Sequence, residues 1–300
     1  MQANIENISV CIATYQRPQW LEKLLAGIAE QRVEGQFNFS VIVADNDSNE
    51  SGREVVTRMS ASYPVPLVYC IEPRRSIAHV RNMTLEKSNS EFIAFIDDDE
   101  FPEKDWLLNL FGALKKYDCA GILGPVRPYY PDGTPGWVRK AGFFERPEFE
   151  TGYQLSWQGC RTGNVLFKRE ITAGLPTVFS AEFGMGGSDV DFFRRMTALG
   201  HRFLWCNEAV VHEIVPPSRW RRKVLMKRAL LRGRNSFRHP EGRWPGLAKA
   251  MVAIPLYTLG LPFLLLFGQH LFMRYLIKLC DHVGRALAVV GIEPVKTREM

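Results

Sequence analysis

The stretch Phe92-Ile93-Ala94-Phe95-Ile96-Asp97-Asp98-Asp99-Glu100 joins five apolar residues directly to four carboxylates. The apolar run predicts a strand that is buried on both faces, as in the parallel sheet of an α/β protein. Ligands of open α/β sheets bind at the carboxyl ends of the strands, which is where these acids lie. Adjacent carboxylates repel one another unless a cation lies among them, and such oxygen ligands suit Mg²⁺ or Mn²⁺. The alternative is a solvated acidic turn that caps the helix beginning near Pro102.

Strand-like and helix-like segments alternate along the amino-terminal part of the chain. The predicted strands are 8–13, 39–44, 67–71 and 92–96, and the predicted helices between and after them are 20–31, 51–62, 77–87 and 105–116. This alternation predicts an α/β fold with a mostly parallel central sheet and helices on both faces. Right-handed crossovers would then bring the polar clusters that follow the first, second and fourth strands to one edge of the sheet.

The turn after the first predicted strand, Thr14-Tyr15-Gln16-Arg17-Pro18, contains no glycine. A dinucleotide-binding fold requires G-x-G-x-x-G at this position, and a P-loop requires G-x-x-x-x-G-K-[ST]. A nucleotide would therefore be bound neither in the NAD manner nor in the P-loop manner. Further along, the Pro-, Gly- and aromatic-rich stretch 124–158 predicts a long functional loop, while 163–168 returns to strand and 188–199 has helical spacing.

The positive charge of the chain is concentrated in one segment. Residues 217–249 hold 11 of the 38 Lys and Arg and one of the 32 Asp and Glu, which leaves 27 basic and 31 acidic residues elsewhere. The segment therefore indicates a local anionic partner. Since no recognised nucleic-acid motif accompanies it, we expect no nucleic-acid partner. The six cysteines are scattered without a C-x-x-C pair, which indicates buried thiols, and the first ten residues do not resemble a signal peptide.

An apolar segment follows the basic one. Residues 250–273 contain no Asp, Glu, Lys or Arg, and as a helix they would span about 36 Å, enough to cross a bilayer core. Pro255 and Pro262 are expected to interrupt that helix, which also suits a re-entrant or interfacial pair of short helices. A buried helical hairpin in a soluble protein is the alternative. Because the basic block suits anionic headgroups on the cytoplasmic side, we expect membrane association.

Seven short motifs, in this order, resemble those of the family 2 glycosyltransferases. They are Thr14-Tyr15-Gln16-Arg17-Pro18, Asp45-Asn46-Asp47-Ser48, Ile77-Ala78-His79-Val80-Arg81-Asn82, Asp97-Asp98-Asp99, Thr162-Gly163-Asn164, Gly187-Ser188-Asp189 and His212. The pattern is also similar to that of bacterial exopolysaccharide transferases of the succinoglycan glucosyltransferase group. The resemblance implies the GT-A fold, a UDP-sugar donor with glucose as the first expectation, and Mg²⁺ or Mn²⁺ as cofactor.

The same resemblance implies roles for individual residues. Asp189 would be the catalytic base; the nucleotide-sugar would be bound by Ala13, Thr14, Arg17, Asp45, Arg81, Asp97 and Asp98, the metal by Asp99 and His212, and the acceptor by Trp157, Gly163, Asn164 and Ser188. A single base opposite the leaving group implies direct displacement with inversion. Asp191 is the alternative base, and a structural strand-end histidine is the alternative for His212. The family commonly has Glu-Asp where this chain has Ser188-Asp189, so the acidic neighbour of the base is absent.

The sequence thus predicts a GT-A catalytic domain over residues 1–216 and a basic, apolar and amphipathic helical membrane-associated region over 217–300. The expected reaction transfers a hexose to a lipid-linked oligosaccharide at the cytoplasmic face of the bacterial inner membrane, in exopolysaccharide biosynthesis. Alternatives are a transferase for lipopolysaccharide or capsule and a catalytically silent carbohydrate-binding or scaffold protein. A nucleotidyltransferase would need a glycine-rich first loop with Lys or Arg, which this chain lacks.

Overall fold

The computed structural model describes residues 5–183, 187–238 and 243–292, so residues 239–242 and 293–300 of the predicted membrane-associated region lie outside the described part. The strands are β1 (Glu6–Thr14), β2 (Phe37–Asp45), β3 (Leu67–Ile71), β4 (Phe92–Asp97), β5 (Glu100–Pro102), β6 (Gly121–Leu123), β7 (Val126–Tyr129), β8 (Asn164–Lys168), β9 (Phe203–Trp205) and β10 (Val211–Ile214). The helices are α1 (Pro18–Ala29), α2 (Arg53–Ser60), α3 (Ile77–Lys87), α4 (Trp106–Tyr117), α5 (Gly136–Ala141), α6 (Ser188–Ala198), α7 (Arg222–Arg238), α8 (Arg243–Leu266) and α9 (Gln269–Val289).

Seven strands form the central sheet, in the order β3-β2-β1-β4-β8-β6-β9. Strands β1 to β4 pair in parallel, and β6 pairs in parallel with β9. Strand β8 alone runs against its neighbours, since it pairs antiparallel with both β4 and β6. The predicted mostly parallel α/β sheet is therefore confirmed. The reversed strand follows the long stretch 124–158, which gives the chain enough length to approach β4 from the other end.

Apolar cores cover both faces of this sheet. On one face the alternate β1 residues Ile8, Val10 and Ile12 pack with side chains of α1, α2 and α4. On the other, Cys11 of β1 packs with side chains of α3 and α6. Because successive strand residues point to opposite faces, one apolar strand serves both cores. This is why β4 is apolar at every position from Phe92 to Ile96.

Strand register brings the polar turns together at one edge of the sheet. Thr14 at the end of β1 lies opposite Asp45 at the end of β2, and Ala13 lies opposite Asp97 at the end of β4. A second, three-stranded sheet, with the order β5-β10-β7, begins directly after the acidic turn. In it, Glu100 pairs across the strands with Glu213.

The chain divides into two compact units, Met1–Pro128 with Arg146–Glu213, and Tyr129–Glu145 with Ile214–Met300. The second unit contains α5, α7, α8 and α9, with a small core centred on Ala229, Met273 and Ile277. The expected interruption at Pro255 and Pro262 is wrong, because α8 continues through both prolines. The break comes instead at Gly268, whose φ of 119° suits glycine and separates α8 from α9.

Predicted and observed boundaries of the amino-terminal strands and helices agree to within a few residues, whereas the predicted apolar helix 250–273 differs by seven residues from α8 and extends into α9. The predicted strand 67–71 and helix 77–87 coincide with β3 and α3. The stretch 124–158, expected as a loop, contains β7 and α5, whose short lengths leave little periodic signal. The six cysteines are free, and five of them are buried.

Candidate active site

The acidic turn after β4 is held by the first turn of the chain. Asp98 is 5% exposed; its Oδ2 accepts a hydrogen bond of 3.0 Å from the Thr14 hydroxyl, and its Oδ1 accepts one of 2.7 Å from Arg17 Nη1. The same Arg17 nitrogen lies 3.3 Å from Asp99 Oδ2. Arg17 also stacks over Trp20, which fixes its direction. The glycine-free turn therefore provides a hydroxyl and a guanidinium that orient two of the three aspartates.

Asp97 faces a second cation from the opposite side of the sheet. Arg81 of α3 is 8% exposed, and its Nη2 lies 3.8 Å from Asp97 Oδ1. The Ser188 hydroxyl, at the start of α6, accepts a hydrogen bond of 3.3 Å from Arg81 Nη1. Arg81 thus links the acidic turn to the helix that carries Asp189. Ser188 is fully buried and helps to position Arg81, while its predicted contact with the acceptor stays a prediction.

Glu100 is buried behind the acidic turn and binds its backbone. Its Oε2 accepts a hydrogen bond of 3.1 Å from the backbone N–H of Asp97, while Oε1 is buried without a hydrogen-bond partner. A Cβ placed on Gly163 would lie 2.6 Å from Glu100 Oε1 and 3.3 Å from Asp97 Oδ2. Gly163 therefore leaves the space that these two carboxylates occupy. The predicted contact of Gly163 with the acceptor stays a prediction.

A further acid and cation, both missed from sequence, extend this cluster. Glu213 of β10 lies opposite Glu100 in the small sheet, and its Oε2 accepts a hydrogen bond of 2.7 Å from Arg146 Nη2. Arg146 lies within the long stretch where no motif marks it. Strand alternation places position 213 on the opposite face from His212, so the prediction of a site at His212 directed attention away from Glu213.

Loss of hydration raises the pKa values of three carboxylates in the acidic turn. Burial raises the pKa of Asp98, although Arg17 and Thr14 act in the other direction. Loss of hydration also raises the pKa of Asp97, opposed by Arg81, even though 43% of this side chain meets solvent. Burial together with the charges of Asp97 and Glu213 raises the pKa of Glu100 well above its usual value. The turn therefore has an excess of negative charge that a cation would relieve.

Asp45 lies at the same edge but is bound by its own surroundings. It is fully buried, and it accepts hydrogen bonds from the backbone N–H groups of Asp47 (2.9 Å) and Gly52 (2.7 Å) and from the Tyr69 hydroxyl (2.8 Å). These bonds shape the turn between β2 and α2. The structure brings Asp45 next to Thr14, and its predicted contact with the nucleotide stays a prediction.

His212, predicted as a metal ligand, contacts β5 and the residue that follows it. His212 Nε2 lies 3.2 Å from Glu103 Oε1, and the imidazole stacks on Phe101 at 5.3 Å. Its neighbour Glu213, on the opposite face of β10, is the residue that joins the acidic cluster. Nδ1 of His212 takes no part in the Glu103 contact, and the predicted role of His212 as a metal ligand stays a prediction.

Asn164 has a structural role. Its amide donates to the carbonyls of Pro125 (3.0 Å) and Ala209 (2.7 Å), and its Oδ1 accepts a hydrogen bond of 2.8 Å from Trp106 Nε1. With 2% exposure it ties three segments together and both protons of its amide are used, while its predicted contact with the acceptor stays a prediction. Trp157, in the 3₁₀ turn Trp157–Gly159, packs at the border of the core beside α6.

Asp189 and Asp191 both lie in the first turn of α6 but differ in their surroundings. Asp191 is 4% exposed and its carboxylate is bound by Arg194 (3.1 Å) and Arg195 (2.8 Å). Asp189 is partly exposed and directly follows Ser188, which contacts Arg81. Asp191 is therefore occupied by its own helix, and this leaves Asp189 as the better candidate base.

The residues fit a hard divalent cation in part. Among residues 5–183, 187–238 and 243–292, no three His, Cys, Asp or Glu side chains form a ready-made metal site. Two carboxylates suffice for Mg²⁺, however, because water and substrate phosphates commonly complete its coordination. Asp97 and Asp99, with the unpartnered Oε1 of Glu100 behind them, offer this chemistry.

Comparisons with known proteins identify the family of the chain. The sequence model of the family "Glycosyl transferase family 2" matches residues 9–173. The succinoglycan biosynthesis protein ExoM of Rhizobium meliloti (strain 1021) is 34% identical over 251 residues, which cover 81% of this chain and 78% of ExoM. The succinoglycan biosynthesis protein ExoW of the same organism is 23% identical over 218 residues, 67% of each chain.

Solved structures share the fold at low sequence identity. The Pyrobaculum calidifontis mannosyltransferase PcManGT, in complex with GDP-Man and Mn²⁺, superposes with a TM-score of 0.59 at 18% identity, covering 99% of this chain and 78% of that one. S. aureus TarS 1-349 in complex with UDP gives 0.56 at 15% identity, covering 96% and 93%. The family model spans more than half of the residues, and with the identity to ExoM it shows that this chain is a glycosyltransferase that belongs to family 2.

Proposed function

We propose that the chain transfers a hexose, with glucose as the first expectation, from a UDP-sugar to a lipid-linked oligosaccharide in bacterial exopolysaccharide biosynthesis. The observation that carries the proposal is the acidic turn Asp97–Asp99 between two guanidinium groups, those of Arg17 and Arg81. The name of ExoM supports the polysaccharide class. A TarS structure holds UDP-GlcNAc, which supports a uridine nucleotide as donor.

The leaving group of this reaction is a nucleoside diphosphate that gains negative charge as the sugar departs. We infer that Asp97 and Asp99 hold Mg²⁺ or Mn²⁺, which would stabilise that charge without proton transfer. Arg17 and Arg81 add positive charge on either side. Asp98, which accepts a hydrogen bond from Thr14, holds Arg17 in place. Ala13 and Asp45, at the same edge, are proposed to contact the nucleotide.

The acceptor hydroxyl must lose its proton as it attacks the sugar. Asp189 is proposed as the base, since its neighbour Asp191 is bound by two arginines. Attack on the face opposite the leaving group gives inversion, so an α-linked donor yields a β-linked product. Gly163 and Trp157 are proposed to border the acceptor, while Ser188 acts through Arg81.

We place the enzyme at the cytoplasmic face of the inner membrane, where a lipid-linked acceptor and a cytoplasmic UDP-sugar meet. Helix α8 is long and apolar enough to cross a bilayer, and 17% of an apolar 18-residue stretch within it is buried. The basic residues of α7 precede it. The division into a catalytic domain over residues 1–216 and a membrane-associated region over 217–300 is proposed on the same grounds.

The test is release of nucleotide from UDP-, GDP- and dTDP-sugars, with Mn²⁺ and with chelator. We expect slow, metal-dependent UDP release from one donor, lost in Asp99→Ala and kept in Asp132→Ala, which removes an exposed carboxylate elsewhere. Direct binding of UDP with Mn²⁺ is measured in parallel, because hydrolysis can require the acceptor. Failure to bind any nucleoside diphosphate in the presence of metal would refute the proposal and favour a silent carbohydrate-binding protein.

A further inference from the structure

Helix α8 has a continuous apolar side that no described residue covers. Its large apolar side chains there are 55–83% exposed: Met251, Val252, Leu256, Leu259, Phe263, Leu265 and Leu266, followed by Phe267 just beyond the helix. Most of them recur every three or four residues and so share one side of the helix. The opposite side carries Ala250, Ala253 and Leu261, which are buried. An apolar patch of this extent is rare on a protein surface that meets only water.

The buried side of α8 packs along α9, which is amphipathic and carries charged residues beside its buried apolar ones. Helix α9 carries Arg274, Lys278, Asp281 and Arg285. Arg285 joins three helices, because Nη1 donates to the Gly246 carbonyl of α8 (3.0 Å) and Nη2 to the Ser236 hydroxyl of α7 (2.8 Å). If α8 crossed a bilayer in this packing, these charged groups would enter hydrocarbon, which is strongly unfavourable.

Helix α7 is bound closely to the same helix. A Cβ on Gly233 would lie 1.9 Å from the Asp281 carbonyl oxygen, and one on Gly284 would lie 2.1 Å from that of Leu230. The two backbones therefore touch, and α7 cannot be separated from α9 without loss of this contact. Because α7 has seven Lys and Arg and no acid, it belongs in water or at lipid headgroups.

The prolines of α8 also favour a shallow position. Pro255 and Pro262 are exposed and lack an N–H group, so the carbonyls of Met251 and Thr258, four residues earlier, lose their helical partners. Water reaches such carbonyls near the headgroups but not in the bilayer centre. At the amino end, Trp244 (67% exposed) and Lys249 are residue types that favour the interface.

We infer that α8 lies in the plane of an anionic membrane, with the exposed side of residues 251–267 in one leaflet, and does not span the bilayer. The inference rests on the proposed membrane association and makes it specific. The partner is a leaflet that contains anionic phospholipid, since the helices around the apolar side carry an excess of Lys and Arg. The second unit is then a monotopic anchor.

The first experiment measures binding of the full chain to phosphatidylcholine vesicles with and without phosphatidylglycerol. We expect binding that requires the anionic lipid and weakens at high salt. Leu259→Asp should bind at least about tenfold more weakly, because a charge replaces a side chain that inserts. Leu199→Asp, which alters a similarly exposed leucine of the first unit, is the matched control and should bind like the wild type.

The second experiment measures depth. Three variants, Met251→Cys, Leu259→Cys and Leu266→Cys, are each labelled at the added cysteine with an environment-sensitive fluorophore. Quenching of the fluorophore is then compared between lipids that carry the quencher near the headgroup and lipids that carry it near the acyl-chain end. Selective labelling is favoured because burial raises the pKa of native thiols such as Cys11 and Cys160 to about 12. The inference expects equal, shallow depths at all three positions. A spanning helix would place Leu259 deepest, with the other two about 22 Å apart along the helix axis.

A depth profile with its maximum at Leu259 overturns the inference. Unchanged vesicle binding by Leu259→Asp also overturns it. If Leu259→Asp changes the oligomeric state of the protein but not its vesicle binding, the apolar side is assigned to contact with a second copy of the chain. Nucleotide release without vesicles separates this question from the catalytic one. If every donor fails while the three labels remain shallow, the proposed reaction fails and the anchor stands.

Discussion

Replacement of Gly163 by alanine tests whether the acidic turn is as tightly enclosed as its geometry indicates. The added methyl group would lie 2.6 Å from Glu100 Oε1, whereas ordinary contact begins near 3.4 Å. The Glu100 carboxylate must therefore withdraw by about 0.8 Å. Since its other oxygen holds the Asp97 backbone N–H at 3.1 Å, a similar displacement lengthens that bond beyond hydrogen-bond range.

Two effects of different size follow. Overpacking of this kind costs about 1–3 kcal/mol of unfolding free energy. A shift of Asp97 by nearly 1 Å should lower donor turnover more, by as much as about 100-fold, because the alignment of the diphosphate depends on it. We therefore expect Gly163→Ala to fold, with a modestly lowered Tm and a large loss of metal-dependent UDP release.

The assay pairs thermal unfolding with metal-dependent UDP release at saturating donor. Gly159→Ala is the matched control, since the nearest atom to its added methyl group is 3.7 Å away, on Leu155. Shortening Glu100 in Gly163→Ala/Glu100→Ala should recover part of the stability lost, as contact between the two positions predicts. Activity of Gly163→Ala equal to that of Gly159→Ala would refute the enclosed geometry of the turn.

Three further outcomes are expected. Asn164→Ala should lose about 3–5 kcal/mol of unfolding free energy in urea, because three buried partners lose their hydrogen bonds. The UDP affinity of the folded fraction should be unchanged, and a weakened affinity would contradict a purely structural role by linking Asn164 to the donor site. Ser188→Ala should lower stability by about 1.5 kcal/mol and weaken donor binding through Arg81. Ser188→Thr keeps the hydroxyl and should retain more of the stability and more of the donor affinity, so equal behaviour of the two variants would contradict the positioning role. Burial raises the pKa of Glu100 in the folded chain, so the folded state binds its proton more tightly than the unfolded state, and with chelator present stability is lost as the pH rises above the unfolded pKa. Glu100→Gln should flatten this loss between pH 5 and 8, whereas a pH profile parallel to that of the wild type would show that Glu100 is not its source.

The arrangement of elements was readable from local pattern. A run such as Phe92–Ile96 needs both faces covered, and the alternation of such runs with helical spacing leaves few architectures other than a parallel sheet with helices on both sides. The same logic placed Thr14, Asp45 and Asp97 at one edge, because parallel strands joined by right-handed crossovers end together. These features depend on residue type and short-range spacing, which the sequence contains directly.

Which partner each polar side chain takes was decided by tertiary structure. Asn164, Ser188 and His212 stand in motifs that suggest ligand contact, yet their hydrogen bonds go to Trp106, Arg81 and Glu103. Each of these partners comes from a distant part of the chain. Their meeting depends on strand register and on the face toward which each side chain points, which short-range spacing does not specify.

The same distinction holds for α8. Sequence alone identified an apolar segment, but it placed that segment seven residues too far along the chain and favoured an interruption at the prolines that does not occur. Only the packing against α9 showed that one side is buried beside charged residues and the other is exposed. Composition thus determined that this segment prefers an apolar environment. Tertiary contacts decided which side of the helix can face an apolar environment. A helix that is bound to charged neighbours cannot enter hydrocarbon unless those neighbours enter with it, and this is strongly unfavourable.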